Sequence, residues 1–164
     1  MSIINNKLAV MFLLAGILSV TLTTGGLVTP AFANEDFTTN LSGEEEVPPV
    51  DTDAEGEARL EVNGNEEEIR FHVEAEGLED VVAGHLHLAE RGEVGPVVVS
   101  LFGEESTNNG NLEVSGTIEE NDLVSVLEGR EDISNLVDHL EEEEIYINIH
   151  TEENPDGEIR GQFD

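Results

Sequence analysis

Three histidines hold most of the chemistry this sequence offers. His85 and His87 stand two apart in Gly84-His85-Leu86-His87-Leu88, and His150 closes the run Ile145-Tyr146-Ile147-Asn148-Ile149-His150. Residues i and i+2 of a strand share a face. His85 and His87 therefore project together, and His150 projects with Asn148 and Tyr146. If the two strands approach each other, three imidazoles converge into a donor set suited to copper or zinc. The chain has no cysteine, so histidine and carboxylate are its strong ligands. A neutral imidazole also works as a polar clamp, donating to a backbone carbonyl and accepting from Asn148 or an arginine. Both readings, metal site and clamp, stand at this point. Three neutral imidazoles would release a metal as pH falls through about 6 to 6.5, and the surrounding acids are expected to move release higher. His72, between Arg70 and Glu74, is expected to face solvent. His139 lies in an acidic helical stretch with no partner at ligand spacing.

Other candidates are weaker. Arg160, in a chain so poor in cations, is expected to pair bidentately with a carboxylate such as those of Glu44, Glu45 and Glu46; anion binding is the alternative. The runs Glu44–Glu46, Glu66–Glu68 and Glu141–Glu144 invite calcium, yet none has the Asp/Asn-x-Asp-x-Gly spacing of a shaped loop. Asp51-Thr52-Asp53 and Asn154-Pro155-Asp156-Gly157-Glu158 come closer, the second being well explained as a turn. No G-x-S-x-G, H-E-x-x-H or phosphate-cradling glycine loop occurs. The sequence reads as a non-enzyme.

The elements that must position these residues are mainly strands. Phe37, Thr39 and Leu41 alternate, as do Ala58, Leu60 and Val62, and Ile69, Phe71, Val73 and Ala75. That period of two marks half-buried strands. Asn63-Gly64-Asn65 signals a hairpin, and Asn108-Asn109-Gly110 and Asn154-Pro155-Asp156-Gly157 signal turns. Gly84–Leu88, Val97–Leu101, Leu112–Ile118, Ile145–His150 and Ile159–Phe163 read as further strands. Between Glu120 and Glu144 the apolar spacing loosens toward 3.6. Two short helices are expected there, the first capped by Asn121 or Asp122 and ended by Gly129, the second begun at Glu131, Asp132 or Ser134. The sum is an all-β, Greek-key-like β-sandwich or small barrel with short helical insertions.

Compartment and charge follow. Lys7 precedes the apolar run Leu8–Val20, and Ala31-Phe32-Ala33 is a small-x-small exit. Together they describe a signal peptide over residues 1–33 and one domain over 34–164. The apolar run is shorter than the roughly 20 residues that span a bilayer; retention as an anchor is the alternative. The expected location is secreted or cell-surface, with no membrane in the mature form. The chain carries 6 basic and 38 acidic residues, a formal net charge of −32. Such a surface repels nucleic acid and anionic headgroups and favours cations or basic partners.

Three blocks then resemble a known family. Leu41-Ser42-Gly43-Glu44-Glu45-Glu46-Val47-Pro48-Pro49-Val50 is similar to the opening motif of the CHRD domain, named for chordin and widespread in microbial secreted proteins. Ala83–Leu88 with Gly95-Pro96-Val97-Val98 resembles its central motif. Tyr146–Thr151 followed by Pro155–Gln162 resembles its closing motif. The blocks fall in family order over roughly 37 to 163. The resemblance implies an extracytoplasmic binding module of unspecified ligand, with Glu46, Pro48, Pro49, Asn148, Gly157, Glu158, Arg160 and Gly161 as motif residues of structural importance. In chordin such domains belong to an extracellular growth-factor antagonist. The His-x-His strand, the later strand ending in histidine and the Arg-Gly pair are also similar to the copper/zinc superoxide dismutase sandwich, but this chain lacks that family's cysteines and its full histidine set, and no dismutase chemistry carries over. A copper- or zinc-binding protein and a structural envelope or matrix component are the two alternatives to a protein-binding module.

Overall fold

The computed structural model describes residues 35–104, 110–124 and 132–164. The expected leader with Lys7, Leu8–Val20 and Ala31-Phe32-Ala33 lies outside them, as do Asn108 and Asn109 of the expected turn and residues 125–131 of the expected helical region.

Eight strands form one antiparallel sheet. They are β1 (Glu35–Ser42), β2 (Glu55–Val62), β3 (Ile69–Glu76), β4 (Val81–Leu88), β5 (Val97–Phe102), β6 (Leu112–Ile118), β7 (Ile145–Thr151) and β8 (Ile159–Gln162). Their order is β5-β4-β7-β8-β1-β2-β3-β6. The two end strands, β5 and β6, approach one another, so the sheet curls nearly into a barrel. Around it, β3 returns beside β6 while β4 and β5 lie beyond, which is Greek-key winding. The fold expected from the alternation is therefore the fold observed.

Period two explains the core. In β3 the side chains of Ile69, Phe71, Val73 and Ala75 are buried while Arg70, Glu74 and Glu76 are exposed. Leu60, Leu86, Val98, Ile147, Ile149 and Ile159 fill the interior with them. Removal of this apolar surface from water is what drives the curl. The helix α1 (Ile133–Glu141) turns Ile133, Leu136, Val137 and Leu140 inward. Asp132 caps it, its carboxylate accepting from Asn135 N at 2.9 Å, so the second expected helix starts at one of its three candidate positions.

The first expected helix is described only at its start, the rest through Gly129 lying outside the described residues. Its described part is only a 3-10 turn, Glu120–Asp122, with Glu119 as N-cap. Asp122 reaches back to accept from Glu119 N at 2.9 Å, and Leu123 then bridges to Val99 of β5. Pairing with the sheet edge, which helical spacing cannot reveal, ends the turn. The β2–β3 hairpin also exceeds its Asn-Gly signal: Asn63 Oδ1 accepts from Glu67 N at 2.9 Å, and Glu66 takes φ of +52°.

Candidate functional site

The strand register assembles the site. His85 lies opposite Asn148, His87 opposite Tyr146 and Ala83 opposite His150 across the β4–β7 pair. Asn148 in turn faces Arg160, and Tyr146 faces Gln162, across β7–β8. These side chains occupy the face of β4-β7-β8 that points away from the core. Ordinary alternation would leave that face wet. Instead His87, Tyr146, Asn148, Arg160 and Gln162 are all buried.

Four chain segments cover them. His87 Nδ1 donates to Gly95 O at 3.0 Å, and Gly95 N donates to Tyr146 Oη at 3.2 Å. Arg160 Nη1 donates to Glu93 O at 2.8 Å, and Gln162 Nε2 to Ala89 O at 3.2 Å and Glu143 O at 2.7 Å. From the other side Glu46 descends, 7% exposed, while His150 Nδ1 donates to Pro155 O at 3.0 Å. The turn over residues 154–157 comes this close because position 157 is glycine. A Cβ there would stand 2.4 Å from Glu46 Oε1 and 2.8 Å from Asn148 Nδ2.

The three histidines do converge. His85 Nδ1 lies 3.1 Å from His150 Nε2, and one ring nitrogen of each histidine falls within 4.8 Å of the others. A carbonyl oxygen only accepts, so Gly95 and Pro155 fix the protons of His87 and His150 on Nδ1. That leaves a bare lone pair on each Nε2. His85 supplies the proton shared with His150. His87 Nε2 is buried and meets no aligned donor, its polar neighbour being the Asn148 carboxamide, which costs free energy unless something else meets it.

Electrostatics here run against the sequence expectation. Burial, reinforced by the neighbouring His150 and His87, lowers the His85 pKa from 6.5 to about 4. Burial also lowers His87, outweighing its bond to Gly95. It lowers His150 as well, outweighing Pro155 and the nearby Asp156. The acids elsewhere on the surface do not raise these groups; desolvation decides. All three imidazoles stay neutral, the form that binds metal.

Arg160 is a second correction. It makes no bidentate ion pair with the Glu44–Glu46 run. Its guanidinium lies 3.5 Å from the Tyr146 ring centroid and bonds to Glu93 O and Gln162 Oε1. Tyr146 stacks on His87 at 4.8 Å and 11°, giving an Arg160–Tyr146–His87 stack. Glu45 pairs with Arg91 at 3.1 Å instead. Buried Glu46 is raised in pKa by desolvation, opposed by Val47 N, Arg160 and Asn148.

Glu158 takes a bond from Thr52 at 2.8 Å and one from Thr151 at 2.6 Å. Gly161 has no room for a Cβ, which would meet Asn40 O at 2.4 Å. Pro48 and Pro49 sit exposed on the loop behind Glu46. His72 is half exposed and bonds Ser115 and Glu74. His139 does find a partner, Glu144 at 2.7 Å, because the chain doubles back after α1. Sequence reasoning missed the roles of Tyr146, Gly95 and Gln162; alternation placed Tyr146 on the right face without showing that loops bury it.

The segments around residues 41–50, 83–98 and 146–162 thus meet on one face. The family model of the CHRD domain matches residues 37–163. This chain belongs to the CHRD family. No curated protein and no solved structure matches it. In this CHRD domain the histidines and their cover come from all three family-like blocks. No helix among the described residues is long and apolar enough to cross a membrane.

Proposed function

We propose that this CHRD domain is an exported, non-enzymatic binding module that holds one copper or zinc ion at His85, His87 and His150. One observation carries the reading: His87 Nε2 is a buried lone pair that meets no aligned donor, with the Asn148 carboxamide as its polar neighbour, beside two further imidazole nitrogens. A clamp would have satisfied that atom. Support also comes from the second shell, where two carbonyls hold Nδ1–H and aim Nε2, as at histidine–metal sites. To join the site, His85 would carry its proton on Nε2 and offer Nδ1 to the ion. Export is supported by Lys7, Leu8–Val20 and Ala31-Phe32-Ala33.

Calorimetric titration of tag-free protein with copper and zinc near neutral pH tests the site. One stoichiometric event is expected, abolished in His85→Ala and retained in His72→Ala and His139→Ala. A clamp gives the opposite pattern: His85→Ala destabilises the fold, and neither metal raises the wild-type melting temperature.

A further inference from the structure

We propose that Asn148 Oδ1 is a fourth donor, closing the histidine site into a three-nitrogen, one-oxygen set with no open position. The proposal rests on the three-histidine reading above and gives it a consequence: the ion is carried or serves stability, and no water is activated on it. Structural zinc sites are closed with four protein ligands, whereas catalytic ones keep a place for water or substrate.

Asn148 is 4% exposed, and its Oδ1 is buried with no hydrogen-bond partner, like His87 Nε2. Both atoms are acceptors. Two buried acceptors side by side, neither meeting an aligned donor, favour something positive between them. The register puts Asn148 opposite His85, and it shares a strand face with His150 two residues on. Its carboxamide is also close enough to His87 to favour that ring's protonated form.

Orientation follows from Glu46. Asn148 Nδ2 and Glu46 Oε1 crowd the same spot beside Gly157, and the amide favours the charged form of Glu46. A carboxylate attracts the NH2 end of the amide, so Oδ1, on the other arm, turns toward the histidines. Glu46 Oε1 itself meets no fully aligned donor, and Glu46 does not join the group whose ligand atoms gather within 4.8 Å. Its part is to position Asn148. All four donors sit on β4 and β7, paired strands that hold ligand geometry better than loops.

Cobalt(II) reports coordination number, because tetrahedral sites absorb far more strongly in the visible than five- or six-coordinate ones. The variants are Asn148→Leu, of similar volume without a donor, and Asn148→Asp, which keeps an oxygen. Wild type loaded with cobalt is expected to give the intense four-coordinate spectrum and to ignore added azide. Asn148→Leu should lose roughly ten- to a hundredfold in zinc affinity, no less than outer-shell changes cost, and its cobalt spectrum should respond to azide. Asn148→Asp should stay four-coordinate. Wild-type affinity and spectrum in Asn148→Leu, or an azide response in wild type, overturns the proposal while leaving the histidine site standing. If Asn148→Leu does not fold, wild-type azide titration and the Asn148→Asp spectrum decide. Wild type that takes up neither cobalt, zinc nor copper overturns both readings.

Discussion

His87 is held on two sides: Gly95 O accepts a hydrogen bond from its Nδ1, and Tyr146, backed by Arg160, covers one ring face. Such a ring has lost its freedom before any ligand arrives, which favours binding by sparing the ordering cost. The depressed pKa values then set the acid response. An unfolded histidine binds its proton near 6.5, but folded His85 binds one only near 4. Below 6.5 the unfolded state holds more protons, so stability present above that pH is lost as pH falls toward 4. Metal-free protein should melt progressively lower through that window, and His85→Gln should flatten the slope in differential scanning calorimetry. Raised Glu46 has the opposite sign, gaining protons on folding, and softens the loss near its lower end. Metal release should likewise begin below the range of free histidine, since fewer protons compete. Release already complete at pH 6.5 in a zinc-indicator titration would contradict the burial argument.

Elements with one dry and one wet face declared themselves through alternation: Ala58, Leu60 and Val62 in β2, and Ile69 to Ala75 in β3. The three-histidine cluster was legible too, because i and i+2 placement survives any detail of the loops. What the sequence could not show was that β4, β7 and β8 are covered on both faces. The cover consists of irregular segments with no period, and long-range bonds such as Arg160 to Glu93 O leave no local trace. The Arg160 expectation failed for that reason; the charge count suggested a carboxylate, while the guanidinium found a backbone carbonyl and an aromatic face. Glycine position offers a test of the cover. Gly157→Ala adds backbone strain at φ of +129° and a clash with Glu46 and Asn148, and should cost about 3 kcal/mol. Gly92→Ala, at φ of +82° with nothing within 4 Å, should cost only about 1 kcal/mol. Equal losses in urea denaturation would mean that the turn over the site is loose. On α1, Leu136→Ala empties a fully buried position and should cost about 2–5 kcal/mol.

The whole molecule is dominated by charge and by how little relieves it. Across β2, β3 and β6, Glu57 faces Glu74 and Glu74 faces Glu113, like charges directly opposed in the sheet. Arg59 is occupied by Asp36 and Glu61, and Arg70 lies beside Glu68. With a formal net charge of −32, the melting temperature should climb as ionic strength rises from millimolar toward molar, and divalent ions should act at lower concentration than sodium. An unmoved melting curve would mean that the acids are too far apart to repel. Cleavage of the proposed leader would remove Lys7 and deepen the imbalance by one charge; N-terminal sequencing of exported material should then read from Asn34, and Met1 there would mean the leader is kept. Composition adds one last property. The chain has no tryptophan and a single tyrosine, and that tyrosine is the ring lying flat on His87. Ultraviolet-excited emission of the entire protein therefore comes chiefly from one fluorophore seated against the histidines, so copper arriving there should quench it without any label being attached.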